Sequence, residues 1–272
     1  MINLIAVAVG VYAALVGALY LMQRQIIYQP SQFLPSPAAS GLPEMQTIRL
    51  DTEDGIRLTS WYRPAQIGQP TMIYFHGNGG NIAGRAFKAR PYLDAGFGLL
   101  MIEYRGYGGN PGNPTEQGLY ADGRAGLEFL NRQGVAPGRW VLYGESLGTG
   151  IAVQLAMELA DRTPVGAVVL ESPFTTLGDA AAAHYPFVPA RTLVKDRYDS
   201  ISKIRKIRAP VFVFQGENDG VIPPKLGKRL FQAALEPKEG RWIPGAGHNN
   251  LHDFGVSEMV IDFVRRKIAS GK

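Results

Sequence analysis

The sequence of 272 residues predicts an α/β fold in which helices cover both faces of a mostly parallel central sheet. Short, nearly continuous apolar runs alternate with helix-like segments, as expected of buried parallel strands joined by crossover helices. In addition, a Gly-rich turn at residues 144–148 leads directly from one apolar run into an apolar helical segment. These two observations indicate one α/β domain.

The composition removes several classes of protein. The 28 basic and 23 acidic residues leave a formal net charge of +5, which is too small to indicate a nucleic-acid-binding protein. The absence of cysteine excludes disulfides, a thiol nucleophile and Cys-ligated zinc. The sequence contains no H-E-x-x-H zinc-binding motif, and the glycines form no nucleotide-binding loop. We therefore expect neither a metal ion nor a cofactor.

Residues 1–22 differ from the rest of the chain, because Asn3 is their only strongly polar residue. As a helix at ~1.5 Å per residue they would extend ~33 Å, enough to cross a ~30 Å hydrocarbon core. The sequence thus predicts a transmembrane anchor. A cleavable signal peptide is the competing interpretation, but the basic start and small-residue cleavage site that it needs are missing. A third interpretation, a buried soluble helix, would need cover on all sides.

Arg24 is the only basic residue within twenty residues of either end of this run, so the positive-inside rule favours a cytoplasmic catalytic domain. Four prolines lie in residues 23–45, which are therefore predicted to form an extended linker. The globular domain then occupies residues 46–272.

Within the domain, the turn-forming residues 52–55 separate two strand-like segments, 46–50 and 56–63, which predicts a hairpin. Buried strands are expected at residues 71–76, 98–104, 139–144, 165–171 and 210–216. Helices are expected at residues 85–95, 115–132, 147–161, 224–235 and 256–268.

Residues 172–209 are too many for a simple connection, and we interpret them as a small lid over the carboxyl ends of the strands. The lid combines a helix-like segment at 177–184 with a basic stretch at 191–208. That stretch holds seven Lys and Arg residues but two Asp residues, a local excess of +5. It forms either a solvated face or a face that lies against anionic lipid headgroups.

The turn reads Gly144-Glu145-Ser146-Leu147-Gly148, a G-x-S-x-G pattern between a strand and a helix. That setting exposes the serine hydroxyl on a sharp turn and places it at a helix N-terminus. It predicts Ser146 as a nucleophile, the alternative being a Gly-rich turn without chemistry.

A serine nucleophile needs a base and an acid that orients the base, and in this setting they follow in the order acid, then histidine. Asp219 and His248 both lie in Gly-rich loops after predicted strands. Glu217 and Glu171 are rival acids, and His252 is a rival base.

The Gly-rich turn at residues 76–81 follows the strand at 71–76 and predicts one donor of an oxyanion hole. The expected donors are the backbone N–H groups of Asn78 and Leu147, with Gly79 as the alternative to Asn78. The side chain of His76 is expected to be structural.

With these motifs in place, residues 46–268 resemble an α/β-hydrolase, and in particular the membrane-anchored abhydrolase-domain branch of that superfamily. This branch includes eukaryotic protein depalmitoylases and bacterial serine hydrolases or peptidases. The depalmitoylases carry an N-terminal cysteine cluster, which this chain lacks. The resemblance rests on residues 76–78, 103–108, 114–116, 144–148, 216–219 and 247–248, of which Tyr-Arg-Gly-Tyr-Gly at 104–108 is the most specific.

Together, the residues and the resemblance predict a membrane-anchored serine hydrolase with an α/β-hydrolase fold. It would cleave an acyl ester or thioester, in a lipid or lipidated substrate, through an acyl-enzyme on Ser146. The alternatives are a serine peptidase or amidase with the same triad and a non-catalytic binding protein on a hydrolase scaffold.

Overall fold

A computed structural model describes residues 2–269 of the chain, with side chains from 4 to 268. The strands are β1 (Gln29–Pro30), β2 (Gln46–Asp51), β3 (Arg57–Arg63), β4 (Thr71–Phe75), β5 (Gly79–Gly80), β6 (Gly98–Ile102), β7 (Trp140–Glu145), β8 (Ala167–Glu171), β9 (Val211–Gly216) and β10 (Lys238–Ile243). Eight of these strands form one sheet in the order β10-β9-β8-β7-β4-β6-β3-β2. The pairs β2–β3 and β3–β6 at one edge are antiparallel and all the other pairs of this sheet are parallel, which confirms the predicted fold.

Helices cover the two faces of the sheet. The helices are α1 (Ile2–Ile27), α2 (Ala86–Asp94), α3 (Glu116–Arg132), α4 (Leu147–Leu159), α5 (Leu177–His184), α6 (Ala190–Leu193), α7 (Ser200–Lys203), α8 (Pro224–Ala233) and α9 (Val256–Ala269). Helices α3, α4 and α8 pack in one apolar core, and α2 and α9 pack in the other.

The apolar runs of the sequence correspond to strands that are buried on both sides. All five residues of β4, β6 and β8 are buried, because helices lie above and below them. The β2–β3 hairpin lies at the edge of the sheet, where β2 is mostly exposed. Its turn is held by Thr52, whose backbone N–H donates to the Ile56 carbonyl (2.8 Å) while its hydroxyl accepts from the Ile56 N–H (2.9 Å).

Helix α1 extends to Ile27, beyond the predicted end of the apolar run at residue 22. Polar contacts with the domain hold this last part of the helix. The Gln23 side-chain oxygen accepts a hydrogen bond from the Lys195 N–H (2.7 Å). The Arg24 guanidinium donates to both carboxylate oxygens of Asp196, at 2.8 and 3.1 Å. Gln23 and Arg24 therefore attach the helix to the domain instead of ending it.

The stretch after α1, predicted as an extended linker, packs on the domain. The hydroxyl groups of Tyr28 and Tyr198 lie 3.0 Å apart in a buried hydrogen bond. Strand β1 pairs in parallel with β5, and further along Leu42 and Met45 are buried. These contacts join residues far apart in sequence, which is why the local composition did not reveal them.

Helices α5, α6 and α7 lie between β8 and β9, in the segment predicted as a lid. Several of its basic side chains are paired within the protein. Arg191 lies 2.6 Å from Asp179, and Arg208 lies 2.9 Å from Asp161. The Lys203 ammonium donates to the Tyr120 hydroxyl at 3.0 Å. Part of the basic stretch is thus engaged by the domain itself.

Candidate active site

Ser146 occupies a strained turn between β7 and α4. Its φ of 51° and ψ of −113° lie where residues with a side chain are rare. The backbone is held on both sides: the Ser146 N–H donates to the Glu171 carbonyl at 2.8 Å, and the Ser146 carbonyl accepts from the Thr149 N–H and hydroxyl at 3.0 and 2.6 Å. The turn therefore presents the serine side chain at the N-terminus of α4.

The two glycines of the motif are required by close packing. A Cβ atom on Gly144 would lie 2.5 Å from the Gly148 carbonyl oxygen. A Cβ atom on Gly148 would lie 2.0 Å from the carbonyl oxygen of Phe75 in β4. Without side chains at these positions, helix α4 can approach β7 at Gly144 and β4 at Phe75 this closely, which explains the spacing of the motif.

The structure brings Ser146, His248 and Asp219 together although they follow three different strands, β7, β10 and β9. His248 Nε2 lies 3.2 Å from Ser146 Oγ, and His248 Nδ1 lies 2.8 Å from Asp219 Oδ2. An ionised carboxylate only accepts hydrogen bonds, so Nδ1 donates to Asp219 and Nε2 is left to accept the serine proton. The arrangement has the geometry of a nucleophile, a base and an orienting acid.

Asp219 is buried and fully bonded. Its Oδ1 accepts from the N–H groups of Val221 (2.9 Å) and Ile222 (2.8 Å), and its Oδ2 also accepts from the Gln215 side chain (3.0 Å). Burial raises the pKa of Asp219, but the hydrogen bond and charge of His248 outweigh it, and the pKa lies below its usual value. Asp219 is therefore ionised at neutral pH. Sequence reasoning missed Gln215, whose signal is one polar residue in an otherwise apolar buried strand.

The rival residues lie elsewhere. Glu217 is exposed to solvent. Glu171 is buried and accepts from Lys88 Nζ (2.7 Å) and the Tyr143 hydroxyl (2.5 Å). His252 Nδ1 bonds to Ser257 Oγ at 3.1 Å, and its Nε2 lies 3.5 Å from Glu171. Among the residues that the structure describes, Asp219 is thus the one carboxylate bonded to His248.

Asn78 and Leu147, the predicted oxyanion donors, line the same cavity as Ser146. Leu147 is the first residue of α4. The Asn78 side-chain amide donates to the Ile27 carbonyl at 2.8 Å. The backbone carbonyl of Asn78 accepts from the Tyr107 hydroxyl (2.6 Å) and the Gln29 N–H (3.0 Å). No acceptor among residues 2–269 engages the backbone N–H of either residue, so both N–H groups are available to an oxyanion.

The neighbours of Asn78 have other roles. Gly79 lies in β5, paired with β1, and does not line the cavity. His76 is fully buried, with Nε2 3.1 Å from Glu103 and its ring stacked on Tyr104 at a centroid distance of 4.1 Å. The His76 side chain is therefore structural.

A cavity of about 220 Å³ opens beside Ser146. One wall comes from the lid and the opposite wall from α1, a contribution that sequence reasoning missed because α1 is apolar on every side. Among the side chains of residues 4–268, no Asp, Glu, Lys or Arg lines this cavity. Its lining consists of Val16, Leu19, Tyr20, Gln23, Ile26, Ile27, Asn78, Ser146, Leu147, Phe174, Leu177, Ala180, Ala181, His184, Tyr185, Val188, Ala190, Leu193, Val194, Val221 and Ile222.

Charged side chains cluster below the turn instead. Glu145 and Glu171 are direct neighbours in the β7–β8 register, so their like charges need compensation. Lys88 supplies it, at 3.3 Å from Glu145 and 2.7 Å from Glu171, with Arg85 3.3 Å from Glu145. Burial raises the pKa of both carboxyl groups, but the charge of Lys88, together with the other cationic and hydrogen-bonding neighbours of each carboxylate, outweighs burial and lowers both pKa values. The cluster ties α2 to the strands that carry Ser146.

Comparison with known proteins identifies the same family and fold. A family model described as the alpha/beta hydrolase fold matches residues 70–194. An uncharacterised protein of Mycobacterium tuberculosis is 40% identical over 96% of this chain and 92% of its own length. The lysophosphatidylserine lipase ABHD12 of Danio rerio is 30% identical over 75% of this chain and 63% of its own. An esterase of Pyrococcus furiosus has the same fold, with a TM-score of 0.69, 19% identity, and coverage of 88% of this chain and 99% of the esterase.

The packing of Gly148 generates a prediction about stability. Gly148→Ala is expected to lower the free energy of unfolding by about 2 kcal/mol or more, because the added Cβ would overlap the Phe75 carbonyl. Alanine is the better helix former by roughly 1 kcal/mol, so the clash must exceed that gain. Denaturant unfolding measures the difference. Gly138→Ala, where the Cβ has no neighbour within 4 Å, is the control and should change stability by less than about 0.5 kcal/mol. Equal stabilities for the two variants would contradict the packing argument.

The charge cluster generates a second prediction. Glu171→Gln should cost about 3 kcal/mol of stability at neutral pH, because it removes one partner of a buried ion pair. The folded pKa of Glu171 lies below its unfolded value of about 4.3, so this stabilisation is present above that pH and is lost as the pH falls. Urea unfolding at several pH values should show the gap between wild type and variant narrowing in acid. The exposed Glu217→Gln serves as control, and a gap that is independent of pH would refute the assignment.

Proposed function

The chain belongs to the α/β-hydrolase superfamily and to its abhydrolase-domain branch, and on that premise we propose that it is a serine hydrolase that cleaves acyl esters. The observation that carries the proposal is the hydrogen-bonded series Ser146–His248–Asp219, which ends at the mouth of an apolar cavity. A serine hydroxyl is inert until a base takes its proton, and this series supplies the base and holds it in place.

In the proposed reaction, Ser146 Oγ attacks the acyl carbon while His248 Nε2 takes the serine proton. Asp219 stabilises the imidazolium that forms. The N–H groups of Asn78 and Leu147 bind the oxyanion. His248 then gives its proton to the leaving alcohol, and the acyl group stays on Ser146. Water attacks this acyl-enzyme with His248 again as base, which releases the carboxylic acid and restores the serine.

The cavity favours an apolar acyl group over a peptide. Its lining offers hydrocarbon contacts and no Asp, Glu, Lys or Arg side chain that could bind a charged group. The lipase name of the ABHD12 relative and the fold shared with an esterase support ester cleavage. A thioester would follow the same steps with a thiol as the leaving group.

We further propose that α1 is a retained, single-pass membrane anchor. Its stretch Leu4–Ile27 is long enough to cross a bilayer and contains an 18-residue window with a mean hydropathy of 2.3. No residue of that window is buried, unlike the core helix of a soluble protein. Cleavage as a signal peptide would remove one wall of the cavity at Ser146. The cytoplasmic orientation and the contact of the basic lid residues with anionic headgroups stay predictions.

The proposed mechanism predicts that Ser146→Ala, His248→Ala and Asp219→Asn each lower kcat by a factor on the order of 10⁴, with the loss in a double variant far less than the product. The exposed Glu217→Gln should retain wild-type kcat. The measurement is hydrolysis of p-nitrophenyl esters by purified full-length protein in detergent, with melting curves to show that each variant is folded.

Covalent labelling of the serine distinguishes an enzyme from a non-catalytic binding protein. A fluorophosphonate probe should label the wild type at Ser146 and leave Ser146→Ala unlabelled. A folded wild type that neither labels nor hydrolyses esters, thioesters or amides would be a binding scaffold and not an enzyme. Ester hydrolysis near the wild-type rate in Ser146→Ala would refute the assigned nucleophile.

The anchor generates a separate prediction. Full-length protein should stay in the membrane pellet after alkaline carbonate extraction, because about 20 apolar residues span the hydrocarbon core. The N-terminal sequence of the membrane form should begin before residue 22. Release into the supernatant, or a mature N-terminus beyond residue 22, would show instead that the helix is peripheral or is removed.

A further inference from the structure

We propose that α1 is itself a wall of the acyl-binding site and that the substrate is a long-chain acyl ester that reaches Ser146 from within the bilayer. This inference rests on the proposed function and names its substrate class. It differs from the usual role of an anchor, which tethers a complete domain without contributing to its site.

The first observation is the position of α1 in the cavity. Val16, Leu19, Gln23 and Ile27 recur every three or four residues and therefore lie on one face of the helix, and all four line the cavity of Ser146. The lid residues Leu193 and Val194 belong to the same lining. The lining of the site therefore combines residues of the helix and of the lid.

The second observation is that α1 is fastened next to the catalytic atoms. The Ile27 carbonyl accepts a hydrogen bond from the side chain of Asn78, the proposed oxyanion donor. Gln23 is bonded to the Lys195 N–H at 2.7 Å and, through its amide, to the Leu193 carbonyl at 3.3 Å. Asp196, which accepts from Arg24, is buried. The wall is thus held in a defined position relative to Ser146.

The third observation concerns depth. From Gln23 to Val16 the helix extends about 10 Å at 1.5 Å per residue, which is less than the hydrocarbon thickness of one leaflet. One leaflet contributes about 15 Å of hydrocarbon. If the polar residues Gln23 and Arg24 mark the membrane surface, the wall beyond them lies among lipid chains. An acyl chain in that leaflet can lie along α1 with its ester near Ser146.

The lid tip supports this placement. Tyr185 and Phe187 are 37% and 55% exposed, which is unfavourable in water but not in hydrocarbon. The Phe187 carbonyl accepts a hydrogen bond from the Tyr12 hydroxyl at 2.8 Å, still further towards the N-terminus of α1. The lid tip therefore reaches the part of α1 that crosses the membrane, and the cavity between them faces lipid.

The proposal predicts that bulk added to the cavity face of α1 shortens the acyl chains that the enzyme accepts. Leu19→Trp should lower kcat/KM for p-nitrophenyl palmitate at least tenfold relative to p-nitrophenyl butyrate, because the indole occupies space needed by the distal chain. Leu21→Trp is the matched control, since Leu21 is 73% exposed and does not line the cavity. It should keep the wild-type ratio. Full-length protein in lipid nanodiscs is used for each assay.

Val16→Trp serves as a second variant at the far end of the cavity, with the same expected loss on palmitate and little change on butyrate. Fluorophosphonate labelling of Ser146 in each variant shows that the site is intact. An unchanged palmitate-to-butyrate ratio in labelled Leu19→Trp and Val16→Trp would overturn the inference, as would equal losses on both esters. Failure of the wild type to hydrolyse any ester would instead overturn the proposed function.

Discussion

The rest of the site depends on the strained turn at Ser146. A residue other than glycine with a backbone φ of 51° destabilises the folded state by on the order of 1–3 kcal/mol. Such a conformation persists only where the surrounding structure holds it in place. Here Gly144 and Gly148 let α4 press against β4, and the Glu171 carbonyl holds the Ser146 N–H. Lys88, buried between the carboxylates of Glu145 and Glu171, holds the ends of β7 and β8 together. The same turn places the Ser146 hydroxyl 3.2 Å from His248 Nε2, and no acceptor among residues 2–269 engages the Leu147 N–H at the helix N-terminus.

Asn78 lines the same cavity as Ser146 and is hydrogen-bonded to the N-terminal helix α1. Its carbonyl accepts from the chain that leaves α1, at Gln29, and its side chain donates to the last turn of α1, at Ile27. These hydrogen bonds fix the orientation of Asn78, whose backbone N–H is a proposed oxyanion donor. The conformation of the turn at Asn78 and the position of α1 are therefore coupled, and a change in one should alter the other.

Charge and hydrocarbon are separated on the two sides of Ser146. Arg85 and Lys88 form ion pairs with Glu145, and none of the three lines the cavity. Among the described side chains, no Asp, Glu, Lys or Arg lines it. In a medium of low dielectric, an unpaired charge in the lining would be costly, and an acyl chain would not displace its water readily. This separation of charged residues from the apolar cavity suits a reaction whose polar step takes place at one end of an apolar substrate.

The sequence predicted most of the strands and helices, the turn at residues 144–148 and the candidate nucleophile Ser146, because these depend on patterns within a few residues. It predicted Asp219 and His248 from chain order but left Glu217 and Glu171 as rivals. Only the tertiary structure separated them, since the choice depends on which side chains meet across three strands. The β1–β5 pair and the cavity face of α1 were likewise decided by long-range contacts. A helix that is apolar on all sides carries no local signal of which face meets the domain.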